Sequence, residues 1–89
     1  MKEVFKVNET YYTIGEIEFN TFQDVQDFVS FISKFSDEYY LNSGRYIINA
    51  KSIMGIYSLD LSKPIRLVSI KENNDEILKE FNKQNFKKE

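Results

Sequence analysis

Lys51-Ser52-Ile53-Met54-Gly55-Ile56-Tyr57-Ser58-Leu59 sets a serine directly before an apolar run. A serine there caps a short helix: its side-chain oxygen accepts from a backbone N–H one turn on, where unpaired donors and the helix dipole favour negative charge. A phosphoryl group on Ser52 would gain charge-assisted contacts at such a tip. Ile53, Met54, Ile56 and Tyr57 offer more apolar surface than a short helix buries, and the excess is a candidate partner surface. On the residues alone, an ordinary capped amphipathic helix explains the run as well.

Upstream and downstream, the chain alternates between strand and helix patterns. Apolar and polar positions alternate from Tyr12 to Ile14 and from Ile17 to Phe19, as on a half-buried strand, with Gly15 as a candidate bulge. Thr21, with Asp24 three residues on, predicts a capped helix whose stripe is Phe22, Val25, Phe28, Val29, Ile32 and Phe35. Glu38-Tyr39-Tyr40-Leu41 and Arg45 to Ala50 read as a hairpin around Asn42-Ser43-Gly44, with Tyr46, Ile48 and Ala50 facing the core. The Ser52 helix ends near Leu59-Asp60. Pro64 opens a strand from Ile65 to Ile70, and Asn73 or Asn74 caps a last helix with the stripe Ile77, Leu78 and Phe81. This order predicts an α+β domain with its helices on one face of a sheet. Residues 1–12 read as an extension or edge strand, 13–82 as the domain, and 83–89 as a polar, frayed tail.

Composition narrows the class. The 89 residues suit one small domain. A net charge of −2, from 12 basic against 14 acidic residues, gives no electrostatic case for nucleic acid or an anionic membrane. Aromatic residues at 16%, all Phe and Tyr, predict a core filled by rings. With neither cysteine nor histidine, thiol chemistry and nitrogen or sulfur metal ligands are excluded. The acidic pairs lack calcium-loop spacing, and three scattered glycines make no phosphate loop, so no metal or cofactor is expected. No signal-like or membrane-length apolar run is seen, which gives a cytoplasmic expectation.

The run Lys51-Ser52-Ile53-Met54-Gly55 resembles the regulatory-serine segment of the HPr family, small phosphocarriers of the bacterial phosphoenolpyruvate-sugar phosphotransferase system. Ile32-Ser33-Lys34-Phe35 matches the end of that family's first helix at the family's spacing, and the likeness extends roughly from Ile14 to Phe81. It implies an HPr-like open-faced β-sandwich, a four-stranded antiparallel sheet covered on one face by three helices. The family's carrier site lies in a motif Gly-[Ile/Leu]-His-Ala-Arg-Pro-Ala, which here runs from Phe19 to Val25. Thr21 stands for the histidine, Gln23 for the arginine and Asp24 for the proline.

Those exchanges work against phosphoryl carriage. A threonine hydroxyl without a general base is a poor nucleophile and phosphoryl donor, and glutamine cannot hold phosphate oxygens as a bidentate cation does. Thr21 is then a helix cap. The resemblance implies a non-catalytic regulatory module of carbon catabolite regulation, phosphorylated at Ser52. Its implied partners are an HPr-type serine kinase and a transcriptional regulator or other phosphotransferase-system proteins. Two alternatives stand beside it: a sugar-uptake phosphocarrier using a non-histidine site, and a passive oligomerisation domain that dimerises through the N-terminal strand.

Overall fold

A computed structural model of the protein describes residues 11–84 and 86. Seven elements follow one another: β1 (Tyr12–Ile17), α1 (Phe22–Ile32), β2 (Tyr40–Ser43), β3 (Tyr46–Asn49), α2 (Ile53–Tyr57), β4 (Ile65–Ser69) and α3 (Asp75–Lys83). The strands form one antiparallel sheet in the order β1-β4-β2-β3. With its three helices, this is the α+β arrangement that the pattern predicts and the open-faced sandwich that the resemblance implies. The expected extension or edge strand over residues 1–12 lies, up to residue 10, outside the described residues, and Tyr12 itself opens β1.

The bulge in β1 is real, and it explains Gly15. Register slips between Thr13 and Gly15, so that Gly15 stands opposite Leu67. A Cβ on Gly15 would run into the Phe81 ring of α3. The glycine therefore lets a helix sit close against the sheet edge.

A reciprocal cap starts α1. Thr21 Oγ1 accepts from the Asp24 N–H at 3.1 Å, while Asp24 Oδ2 accepts from the Thr21 and Asn20 N–H groups at 3.0 and 2.8 Å. Val25, Phe28, Phe31 and Ile32 are buried. The predicted stripe needs two corrections: Phe22 is 63% exposed, and Phe31 takes its place in the core. Helical side chains lean toward the N-terminus, so a first-turn ring points past the end of the helix rather than onto the sheet.

The hairpin turns at Gly44-Arg45, beginning one position after the centre of the predicted turn, with Ser43 paired to Tyr46. Gly44 has φ of 60°, which a glycine adopts at no steric cost. Asn42 remains in the strand, where its side-chain amide donates to the Gly44 and Tyr46 carbonyls at 2.9 and 3.1 Å. Ala50 is fully buried and Ile48 packs on the core, but Tyr46 is 62% exposed, against expectation. Alternation sends its side chain to the helix side of the sheet; among the described residues no helix extends far enough to cover it.

Core-facing Ile65 and Leu67 on β4 are buried, and Arg66 between them points to the helix-free face. Its guanidinium donates to Thr13 Oγ1 at 3.0 Å and to Asn42 Oδ1 at 2.7 and 3.2 Å, joining three strands. At the start of α3 the two asparagines share the work. Asn73 Oδ1 accepts from the Asp75 N–H at 3.1 Å, while the Asn74 amide donates to the Lys71 carbonyl at 2.7 Å. Ile77 and Phe81 are buried, whereas Leu78 is partly exposed.

Polarity predicts fraying beyond Phe81, yet α3 continues to Lys83 and Phe86 packs on the core. The Phe86 ring lies 5.4 to 5.6 Å from the centroids of Phe28, Phe31 and Phe81. Its carbonyl accepts from the Glu18 N–H at 2.9 Å. One aromatic residue among polar neighbours is enough to anchor a segment when a ring cluster waits for it.

Candidate functional site

Two helix starts hold the residues that the sequence singles out. At α1, both partners of the Thr21–Asp24 box are engaged in capping, and Gln23 Nε2 donates to Asp27 Oδ1 at 2.9 Å. Glu18, Asp24, Asp27 and Lys34 line a cleft of about 300 Å³ beside this helix. Lys34 lies beyond the C-cap, at the opposite end of α1 from Thr21. Thr21, which the resemblance sets against the carrier histidine, is thus a capping hydroxyl beside the Asp24 carboxylate, a setting that disfavours an incoming phosphate.

At α2, Ser52 is the N-cap, with φ of −97° and ψ of 110°. Its Oγ accepts from the Gly55 N–H at 3.0 Å. The chain reaches this cap through a tight turn in which Asn49 Oδ1 accepts from the Lys51 N–H at 2.8 Å, and the Asn49 carbonyl from the Ser52 N–H at 3.1 Å. Ser52 is half-buried, not sealed.

Gly55 contributes what the sequence did not reveal. A Cβ there would stand 3.2 Å from Ser52 Oγ and 3.3 Å from Ile48 Cδ1. Its missing side chain leaves the hydroxyl room above the first turn. Lys51, next to the serine, is committed elsewhere: its ammonium donates to the Phe35 carbonyl at 2.5 Å and to the Asp37 carbonyl at 3.0 Å.

Of the four apolar residues expected to face a partner, three are available. Met54 is 80% exposed, Tyr57 40% and Ile53 39%. Ile56 is the correction: it is fully buried and belongs to the core, because in so short a helix one residue must face the sheet. Phe22, read from sequence as core, completes the surface. Its ring stacks on Tyr57 at 6.0 Å between centroids and 7° between planes, bridging α1 to α2. The signal that could have found it is its first-turn position immediately after the Thr21 cap.

Among the described residues, no group of His, Cys, Asp and Glu side chains could hold a metal ion, and no helix is long and apolar enough to cross a membrane. No protein-family model and no curated protein matches the chain. Among solved structures, the chain is similar to one described as HPr-C-His from Thermoanaerobacter tengcongensis. The two share 28% identity over 85% of this chain and 88% of that one, with a TM-score of 0.60, and the fold assembled above is accordingly HPr-like.

Proposed function

We propose that this chain is an HPr-like protein of the phosphotransferase system that works by binding other proteins, with Ser52 as its switch, and that it does not carry phosphate on the family's first-helix site. The observation that carries this reading is the contrast between the two helix starts. Thr21 and Asp24 are consumed in holding α1 together, with no histidine in the chain and glutamine where the family has arginine. Ser52, half-buried at the tip of α2, stands beside the exposed surface formed by Phe22, Ile53, Met54 and Tyr57.

The chemistry is phosphoryl transfer catalysed by a partner kinase. Ser52 Oγ attacks the γ-phosphorus of ATP, the bond to the β-phosphate oxygen breaks, and the serine proton passes to a base on the kinase. The product adds about −1.5 to −2 charges at neutral pH. Lys51 spends its hydrogen bonds on the loop carbonyls, so the new charge faces outward for a partner's cations. Recognition then combines the apolar surface with a charge placed at its border.

The test is incubation of the intact chain with an HPr-type serine kinase and ATP, followed by intact-mass and fragment-mass measurement. One phosphoryl group on Ser52, absent from a folded Ser52→Ala variant, is expected. No addition, or addition at another residue, removes the switch. Labelling from phosphoenolpyruvate through the system's first enzyme would instead restore the carrier reading.

A further inference from the structure

On the side of the molecule formed by the β2–β3 hairpin, a groove of about 680 Å³ opens between that hairpin and the loop joining α2 to β4. Ile48 and Leu59 supply its apolar surface, and Tyr46 stands at its border with most of its ring in solvent. The vacancy has a simple origin: α2 ends at Tyr57, and the chain then turns away through Asp60 and Ser62 before β4 begins. Among the described residues, an aromatic ring on the helix side of the sheet is left without a helix.

The groove's charges are unevenly committed. Asp60 Oδ1 accepts from the Ser62 hydroxyl at 2.6 Å and from the Ser62 N–H at 3.1 Å. Ser58 Oγ donates to the Gly55 carbonyl at 2.6 Å. Arg45 and Lys63, both exposed, form no ion pair among the described residues, although Lys63 lies near enough to favour the ionised form of Asp60. In a chain of net charge −2, this corner is locally basic. It also borders β3, an edge of the four-stranded sheet, where an extended peptide can add main-chain hydrogen bonds.

We propose that this groove, with Ile48 and Leu59 beneath, Tyr46 at its border and the exposed cations of Arg45 and Lys63 against the single carboxylate of Asp60, docks a short acidic, aromatic-bearing peptide segment of a partner protein. Carboxylates of the segment meet the two cations, and an aromatic side chain packs against Tyr46. This is a second surface, separate from the Phe22–Tyr57 side of α2 and independent of the state of Ser52.

The experiment titrates the full-length ¹⁵N-labelled chain with the acetylated peptide Glu-Phe-Glu-Tyr-Glu, using Lys-Phe-Lys-Tyr-Lys as control, and follows the amide spectrum. Expected are shifts centred on Gly44, Arg45, Tyr46, Leu59 and Lys63 with the acidic peptide only. The exposed double variant Arg45→Glu, Lys63→Glu should bind at least about tenfold more weakly while its spectrum stays dispersed. Tyr46→Ala should weaken binding without changing the salt dependence. Equal binding of both peptides, undiminished binding by the double variant, shifts confined to Ile53, Met54 and Tyr57, or no shift at millimolar peptide would each overturn the proposal. So would light scattering that shows the groove filled by a second copy in a Tyr46-dependent dimer. Ser52→Ala should leave the titration unchanged, so failure here and failure of the kinase test are distinguishable.

Discussion

A methyl group at position 15 would meet the Phe81 ring, and that ring is held by its neighbours Phe31 and Phe86. Gly15→Ala is therefore expected to cost about 1 to 3 kcal/mol, the range of core overpacking, measured as a shift of the urea midpoint. Ser52→Ala should cost about 1 kcal/mol through loss of its cap on Gly55. At Asp60, hydrogen bonds from Ser62, first from its hydroxyl and then from its backbone, hold the carboxyl below its ordinary value. That linkage is fully present above the unfolded carboxylate value, about 3.9, and is lost as pH falls through the lower folded value. Ser62→Ala should thus leave stability less dependent on pH below about 4. The Thr21 cap and the Ser52 cap were both legible in sequence, since capping needs only a short polar side chain at a fixed offset. The need for Gly55 was not, because the atoms it spares come partly from Ile48 on another element.

At the scale of elements, the order and type of all seven were written in periodicity and turn chemistry. Exposure at element ends was not. Phe22 and Tyr46 both fit their periodic stripes and both remain outside, since period describes direction and not whether anything lies in that direction. The proposed partner surface was half legible for the same reason: Ile53, Met54 and Tyr57 are exposed, Ile56 is not, and Phe22 joins from a different helix. Phe22→Ala should accordingly cost only about 0.5 to 1.5 kcal/mol, the worth of one aromatic pair, against about 3 to 5 kcal/mol for Phe28→Ala in the core. Thermal unfolding of the two variants side by side measures the difference. In the proposed function, Phe22→Ala should weaken partner binding more than it weakens the fold.

Across the whole molecule, Phe28, Phe31, Phe81 and Phe86 bring α1, α3 and the segment after it into one ring cluster. Composition announced a ring-rich core; it could not say that a phenylalanine in the polar tail belonged to it. Phe86→Ala should cost about 1 to 2 kcal/mol, in keeping with a half-buried ring, and should loosen Glu18 as well as the tail. Denaturant unfolding combined with Glu18 amide exchange reads both effects. A longer reach belongs to Lys51. Its ammonium ties the Phe35 and Asp37 carbonyls, which follow α1, to the residue before the α2 cap, so loosening of one segment is felt by the other. Deuterium uptake around Phe35 to Asp37 would then act as a gauge, sixteen residues away in sequence, of events at the start of the second helix.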